Sequence, residues 1–221
     1  MKTYQLSAEP RTALGKKATK ALRQANLIPV VLNGGKIVDD PKKAELKEGQ
    51  KCVVIGNGKG LITTDLTVKA EDVRKLIYTP EIFAIELNIK GEVKMAVLKD
   101  IQFHPVTDAI LHMDLLEVHD DKPVVMEVPV RLEGHAEGVK AGGKLNLMLK
   151  KLKVKAIYKD IPECLVINVD NLTLGKSLQI RELNFEGLEL VNAKNAVVCS
   201  VQLTRAARGQ QATAEAEAEA E

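Results

Sequence analysis

Residues 15–35, Gly15-Lys16-Lys17-Ala18-Thr19-Lys20-Ala21-Leu22-Arg23-Gln24-Ala25-Asn26-Leu27-Ile28-Pro29-Val30-Val31-Leu32-Asn33-Gly34-Gly35, decide how the chain is read. At 100° per residue, Lys16, Thr19, Lys20 and Arg23 fall within one arc of roughly 100°, and Ala18, Ala21, Leu22 and Ala25 fall opposite. The pattern predicts an amphipathic helix that lays an apolar stripe on a core and turns cations outward. Gly15 opens it, and Asn26 with Pro29 closes it. Ile28-Pro29-Val30-Val31-Leu32 then leads out as a strand. Asn33-Gly34-Gly35 predicts a turn in which glycine supplies positive φ.

Around this helix the pattern is β. Tyr4 to Ala8 leads in as a strand. Cys52 to Ile55 and Leu61 to Thr64 flank Gly56-Asn57-Gly58-Lys59-Gly60 and read as a hairpin. That glycine-rich loop is no phosphate loop, because a strand follows it where a helix N-terminus would have to start. Glu71 to Tyr78 predicts a short helix stopped by Thr79-Pro80. Ile82 to Ile89 and Val93 to Leu98 form a second hairpin, whose strand is read as carrying on through His104-Pro105 to Leu115. The expectation is a mainly antiparallel β domain with two helices over residues 1–118.

His119-Asp120-Asp121-Lys122-Pro123 is a polar break and marks the boundary. Strands are predicted after it at Val124 to Leu132, Lys144 to Tyr158, Cys164 to Val169, Leu178 to Leu183 and Ala196 to Leu203. In the second of these, Leu152, Val154 and Ala156 alternate with Lys151, Lys153 and Lys155, as in a strand with one wet face. Residues 119–205 are thus a second all-β domain. From Ala206 to Glu221 the chain turns to Ala/Glu/Gln low complexity, read as a disordered acidic tail.

Composition narrows the function. Of the 221 residues 45% are hydrophobic and 28% charged, which excludes a wholly disordered chain. No apolar run approaches the roughly 20 residues of a membrane span, and the first ten residues lack a signal core. Cys52, Cys164 and Cys199 are odd in number and far apart, which fits buried thiols in a reducing cytoplasm and no disulfide framework. Aromatics at 3% argue against a single-strand binder built on stacking platforms. The net charge of +2 hides polarity: residues 1–36 hold seven bases against Glu9 alone, and the last eight carry four glutamates. Such asymmetry points to a nucleic-acid contact at the amino end, with a solvated lysine-rich helix face as the alternative.

Catalytic chemistry is not supported. No Ser or Cys stands in a nucleophile-elbow context, there is no HExxH, and no Cys/His spacing suits zinc. The expectation is therefore no enzyme, no cofactor, no metal and no small-molecule substrate. His112 and Asp114, two apart on a strand, point the same way, so the carboxylate can hold the imidazole. The pair is read as a donor and acceptor for nucleotide edges and sugar hydroxyls; a structural surface pair is the alternative.

Assembled, Ala8-Glu9-Pro10-Arg11, Gly15-Lys16 through Leu22-Arg23, Ile28 to Gly35, Gln102-Phe103-His104-Pro105 and His112-Met113-Asp114 resemble one family. The chain is similar, over roughly residues 1–205, to bacterial large-subunit ribosomal protein number twenty-five in its long, two-domain form (the general stress protein CTC type). The resemblance implies a six-stranded β-barrel-like N-terminal domain that binds the loop E region of 5S rRNA. It also implies a second β domain, a place among the ribosomal proteins of the central protuberance of the large subunit, and a cytoplasmic location. By position, Arg11 would contact RNA from the N-terminal strand, and Lys16, Thr19, Lys20 and Arg23 would lie against phosphates. His112 and Asp114 match the family's His-x-Asp. Asn33 stands where the family usually has a tyrosine, and Leu115 where it has a phenylalanine. The stretch from Lys36 to Leu66 is longer than in the short form. A related barrel in the anticodon-binding part of glutaminyl-tRNA synthetase leaves a tRNA-binding adaptor as the rival reading.

Overall fold

The computed structural model describes residues 1–35, 37–38, 46–54 and 59–204. The turn around Gly56–Gly58 and the acidic tail lie outside the described residues. The chain divides into two units, one of residues 1–122 with 157–159, the other of residues 123–156 and from 160 onward.

In chain order the first unit runs β1 (Lys2–Pro10), α1 (Lys16–Gln24), β2 (Leu27–Asn33), β3 (Ile37–Val38), β4 (Gln50–Val54), β5 (Gly60–Lys69), α2 (Ala70–Ile77), β6 (Phe83–Ile89), β7 (Glu92–Phe103) and β8 (Ile110–Glu117). Six strands close on themselves in the order β1-β6-β7-β8-β2-β5, with β5 pairing back to β1; β3 and β4 also pair with β5. The closed six-stranded barrel is the one that the resemblance implied. Four of its seams are antiparallel, while β1–β6 and β2–β8 are parallel. Parallel partners stand far apart in sequence, so hairpin signals carry no trace of them.

Alternation fills the barrel. Leu6 and Ala8 of β1, Ile28, Val30 and Leu32 of β2, Leu66 of β5, Ile85 and Leu87 of β6, and Met113 and Leu115 of β8 are all buried in one cluster. Val73 and Leu76 of α2 join it. Each large aliphatic side chain taken fully out of water there stabilises the fold by about 1.5–3 kcal/mol.

Two expectations are corrected here. The run from Ile101 to Leu115 is two antiparallel strands: the chain reverses over residues 104–109, where His104 Nδ1 accepts the amides of Val106 and Thr107 at 3.3 and 3.2 Å. The apolar stripe of α1 is also narrower than predicted. No residue of α1 is buried, Ala18, Thr19 and Leu22 are half-buried, and Ala21 and Ala25 are exposed. Three alanines offer too little area to fix which way the helix rolls, so the single leucine sets it. The helix ends as expected at Asn26, whose φ of 56° an asparagine tolerates.

The turn expected at Asn33-Gly34-Gly35 is not a reversal, because β2 and β3 both run antiparallel to β5 and the chain keeps its direction past the two glycines, which have separate reasons. Gly34 has φ +93°, and a Cβ there would stand 2.9 Å from the Glu117 carbonyl oxygen. Gly35 lies so close to β5 that a Cβ would stand 2.4 Å from the Ile62 carbonyl oxygen.

The second unit contains β9 (Val124–Glu133), α3 (Glu137–Lys140), β10 (Lys144–Leu147), β11 (Lys151–Ala156), β12 (Leu165–Asn168), β13 (Ser177–Gln179), a 3-10 turn (Ile180–Glu182), β14 (Glu189–Leu190) and β15 (Val197–Gln202). They form two sheets, β12-β9-β11-β14 and β10-β15-β13. The predicted strand from Lys144 to Tyr158 is therefore broken between sheets. Met148 and Leu149 both donate to the Val198 carbonyl, and this turn separates β10 from β11. The short α3 is a further departure from an all-β unit. Cys199 is buried in a cluster with Ala136, Val169, Leu172 and Val201, and burial raises its thiol pKa. Cys52 and Cys164 are only half-buried, and all three thiols are free.

Candidate nucleic-acid interface

The outer face of the barrel gathers most of the residues singled out by sequence. With Met113 and Leu115 pointing inward, alternation turns His112 and Asp114 outward. Their side chains meet at 3.3 Å between Nδ1 and Oδ1, with 25% and 30% of each exposed. Across β7, Gln102 is in register with His112 and Asp100 with Asp114. The bulge that leaves Lys99 without a partner on β8 sets this register. Neither Gln102 nor Asp100 was expected at the site, because only cross-strand pairing brings them there.

On the other side Asp114 is in register with Val31 of β2, and Val31 with Asp65 of β5. The Asp65 carbonyl accepts the Arg11 amide at 2.9 Å. Arg11 thus lies on the same row, three strand spacings, or about 14 Å along the sheet, from Asp114. Asn33, two residues beyond Val31, shares that face in register with Leu116. Asp65 is an acid inside an apolar strand, with only 7% of its side chain exposed. Its Oδ2 is held by Lys51 Nζ at 2.5 Å. An aspartate between Thr64 and Leu66 in a β-branched run was the available sequence signal.

Helix α1 contacts β2. Lys16, Lys20 and Arg23 are exposed at i, i+4 and i+7, on one stripe. Thr19 departs from that group, because its hydroxyl donates to the Gly15 carbonyl at 2.6 Å and the residue is half-buried. Arg23 joins the helix to the strand face: its Nε and Nη2 donate to the Leu111 carbonyl, beside His112, at 3.2 and 3.0 Å.

The helix is electrostatically incomplete. Its N-cap is Gly15 with no side-chain hydrogen bond, and its first turn holds no acid but two lysines, Lys16 and Lys17. Cations at that end oppose the helix dipole and cost about 0.3–1 kcal/mol each, while the open amides there suit an anion. Among the described residues no group of three or more His, Cys, Asp or Glu could hold a metal ion, and no helix is long and apolar enough to cross a membrane.

A closed barrel with a cationic helix laid outside it, followed by a second β unit, defines the class of protein. Residues 6–51 and 47–115 match the ribosomal L25p family, and residues 123–205 match the C-terminal domain of ribosomal protein TL5. The large ribosomal subunit protein bL25 of Parabacteroides distasonis is 58% identical, over 96% of this chain and 99% of the relative. The protein of that name from Porphyromonas gingivalis is 56% identical over 95% and 97%, and that from Phocaeicola vulgatus 53% identical over 97% and 99%. The chain belongs to the ribosomal L25p family.

Proposed function

We propose that the protein is a non-enzymatic component of the large ribosomal subunit that binds the loop E region of 5S rRNA in the central protuberance, in the cytoplasm. One observation carries this reading. An uncapped helix with lysines in its first turn is pinned by Arg23 beside the His112–Asp114 pair, so phosphate charge and fixed polar groups converge on one face.

Double-stranded RNA offers its 2′-hydroxyls and phosphates in a wide, shallow minor groove. Lys16 and Lys20 supply charge to the backbone, and the helix N-terminus takes a phosphate. Arg11 and Asn33 extend the contact along the face, while His112 and Asp114 supply a donor and an acceptor. Arg23 spends two donors on Leu111, so it orders the site as well as adding charge. Residues 1–118 act as the RNA-binding domain, and residues 119–205 form a second domain.

The test is a gel-shift titration of the full chain against 5S rRNA across salt, with tRNA as competitor. The expected result is a 5S complex whose log affinity falls with log salt by about 0.7–0.9 per phosphate contact. Preference for tRNA, or a response flat in salt, would overturn the reading. Sedimentation of the tagged protein with large subunits checks the assembly.

A further inference from the structure

Beside the Arg23–Leu111 contact lies a groove of about 350 Å³ whose lining includes neither Lys16 and Lys20 nor the His112–Asp114 pair. Leu27, Ile28, Ala70 and Ile110 are among its lining, and Arg23, Arg74 and Tyr78 add polar groups to it. Arg74 and Tyr78 are four apart along α2 and its C-cap, so they stand on one side. Tyr78 is 59% exposed; the described aromatics other than it and Phe103 are at least half-buried. Its hydroxyl is spent on the Asp108 carbonyl at 3.3 Å, which fixes the ring at the groove. The Arg74 guanidinium has no hydrogen-bond or ion-pair partner among the described residues.

We infer that this groove takes one unstacked base of the bound RNA, with the base against Tyr78 and its phosphate on Arg74. The inference rests on the 5S rRNA reading and goes beyond it, since it adds α2 to the interface. Three features select the occupant. The volume is at the small end of ligand sites, which run from about 300 to 1,000 Å³. An apolar slot carrying an exposed ring and guanidinium planes is the chemistry that holds a splayed-out base. Two arginines outnumber the one acid, Glu71, so the charge suits a phosphate. The groove also runs directly into the candidate interface, because Arg23 and Leu111 form part of both.

The experiment uses the full chain and 5S rRNA. Tyr78→Ala should lower affinity at least about fivefold with an unchanged salt slope, because a stacking contact carries no counterion. Tyr78→Phe, which keeps the ring and loses the bond to Asp108, should stay within about twofold. Arg74→Gln should reduce the slope by about 0.7–0.9, the value of one phosphate. With 4-thiouridine in the RNA, irradiation of the unaltered protein should cross-link the peptide carrying Tyr78; this arm decides the matter if Tyr78→Ala proves unstable. Parental affinity in Tyr78→Ala, a Phe variant as weak as the Ala variant, or no cross-link at Tyr78 would overturn the inference. Parental affinity would point to a protein side chain as the occupant. If the unaltered chain does not bind 5S rRNA, both readings fall; if it binds and Tyr78 is indifferent, only the groove does.

Discussion

Arg23 and Leu111 are joined by two hydrogen bonds to a single carbonyl oxygen, 3.2 Å from Nε and 3.0 Å from Nη2. A helix that buries no residue is thereby fastened to the strand that carries His112 and Asp114. Lysine could keep the charge, but it has no planar fork to reproduce the pair of bonds. Arg23→Lys should therefore weaken 5S rRNA binding about three- to tenfold, the value of roughly one hydrogen bond, with little change in salt slope. Gel shifts at several salt concentrations separate the two effects.

Lys16→Glu should move stability and binding in opposite directions. It replaces a cation by an anion in the first turn of a helix with no N-cap side-chain bond, which should stabilise the unit by about 0.3–1 kcal/mol or slightly more. The same change should strongly weaken RNA binding. Thermal melting and gel shifts on one preparation check both, and a fall in each would make Lys16 structural.

Asp114→Ala should weaken RNA binding while leaving the melting temperature nearly unchanged. The carboxylate lies on the outer face and, among the described residues, pairs with the His112 imidazole alone, at 3.3 Å, so its loss belongs with surface substitutions worth about 0.5 kcal/mol or less. A clear drop in melting temperature would assign the pair to the fold.

Lys51→Met should be destabilising. It leaves the Asp65 carboxylate, which is almost wholly buried, without its cation. Lys51 itself is about half exposed, so screening reduces the effect below that of a fully buried pair; a loss of about 1–3 kcal/mol is expected. Adding Asp65→Asn should recover part of it, measured by urea unfolding.

In the second unit, the Asp170 carboxylate accepts the His135 amide at 2.7 Å, and this bond lowers its pKa below the ordinary value. A depressed folded-state pKa means stability that is present above the unfolded value of about 3.9 and lost as pH falls through the folded value. Asp170→Asn should thus be less stable than the parent near neutrality, with the gap closing below about pH 4. Denaturant melts at several pH values would show whether the gap stays constant instead.

Much of this was legible in the chain. The helix from Lys16, its stop at Asn26, the positive φ of Gly34 and the β character of both units follow from periodicity and backbone preference. Barrel closure came from resemblance, since four of the six seams join strands that no hairpin connects. The site was legible where residues lie close in sequence, as with His112 and Asp114. Asp100, Gln102 and Asp65 reach it only through cross-strand register, and the Leu111 carbonyl is a main-chain group that no side-chain motif records.

The parallel seams set a timetable for synthesis. β1 leaves the ribosome first, yet its partner β6 begins at Phe83, and β2 waits for a strand that ends at Glu117. Such distant pairings are slow to form and keep apolar edges open in the meantime. The nascent chain therefore holds the Arg23 end of its basic helix unanchored until half its length has been translated. Only then does Leu111 emerge to seat Arg23.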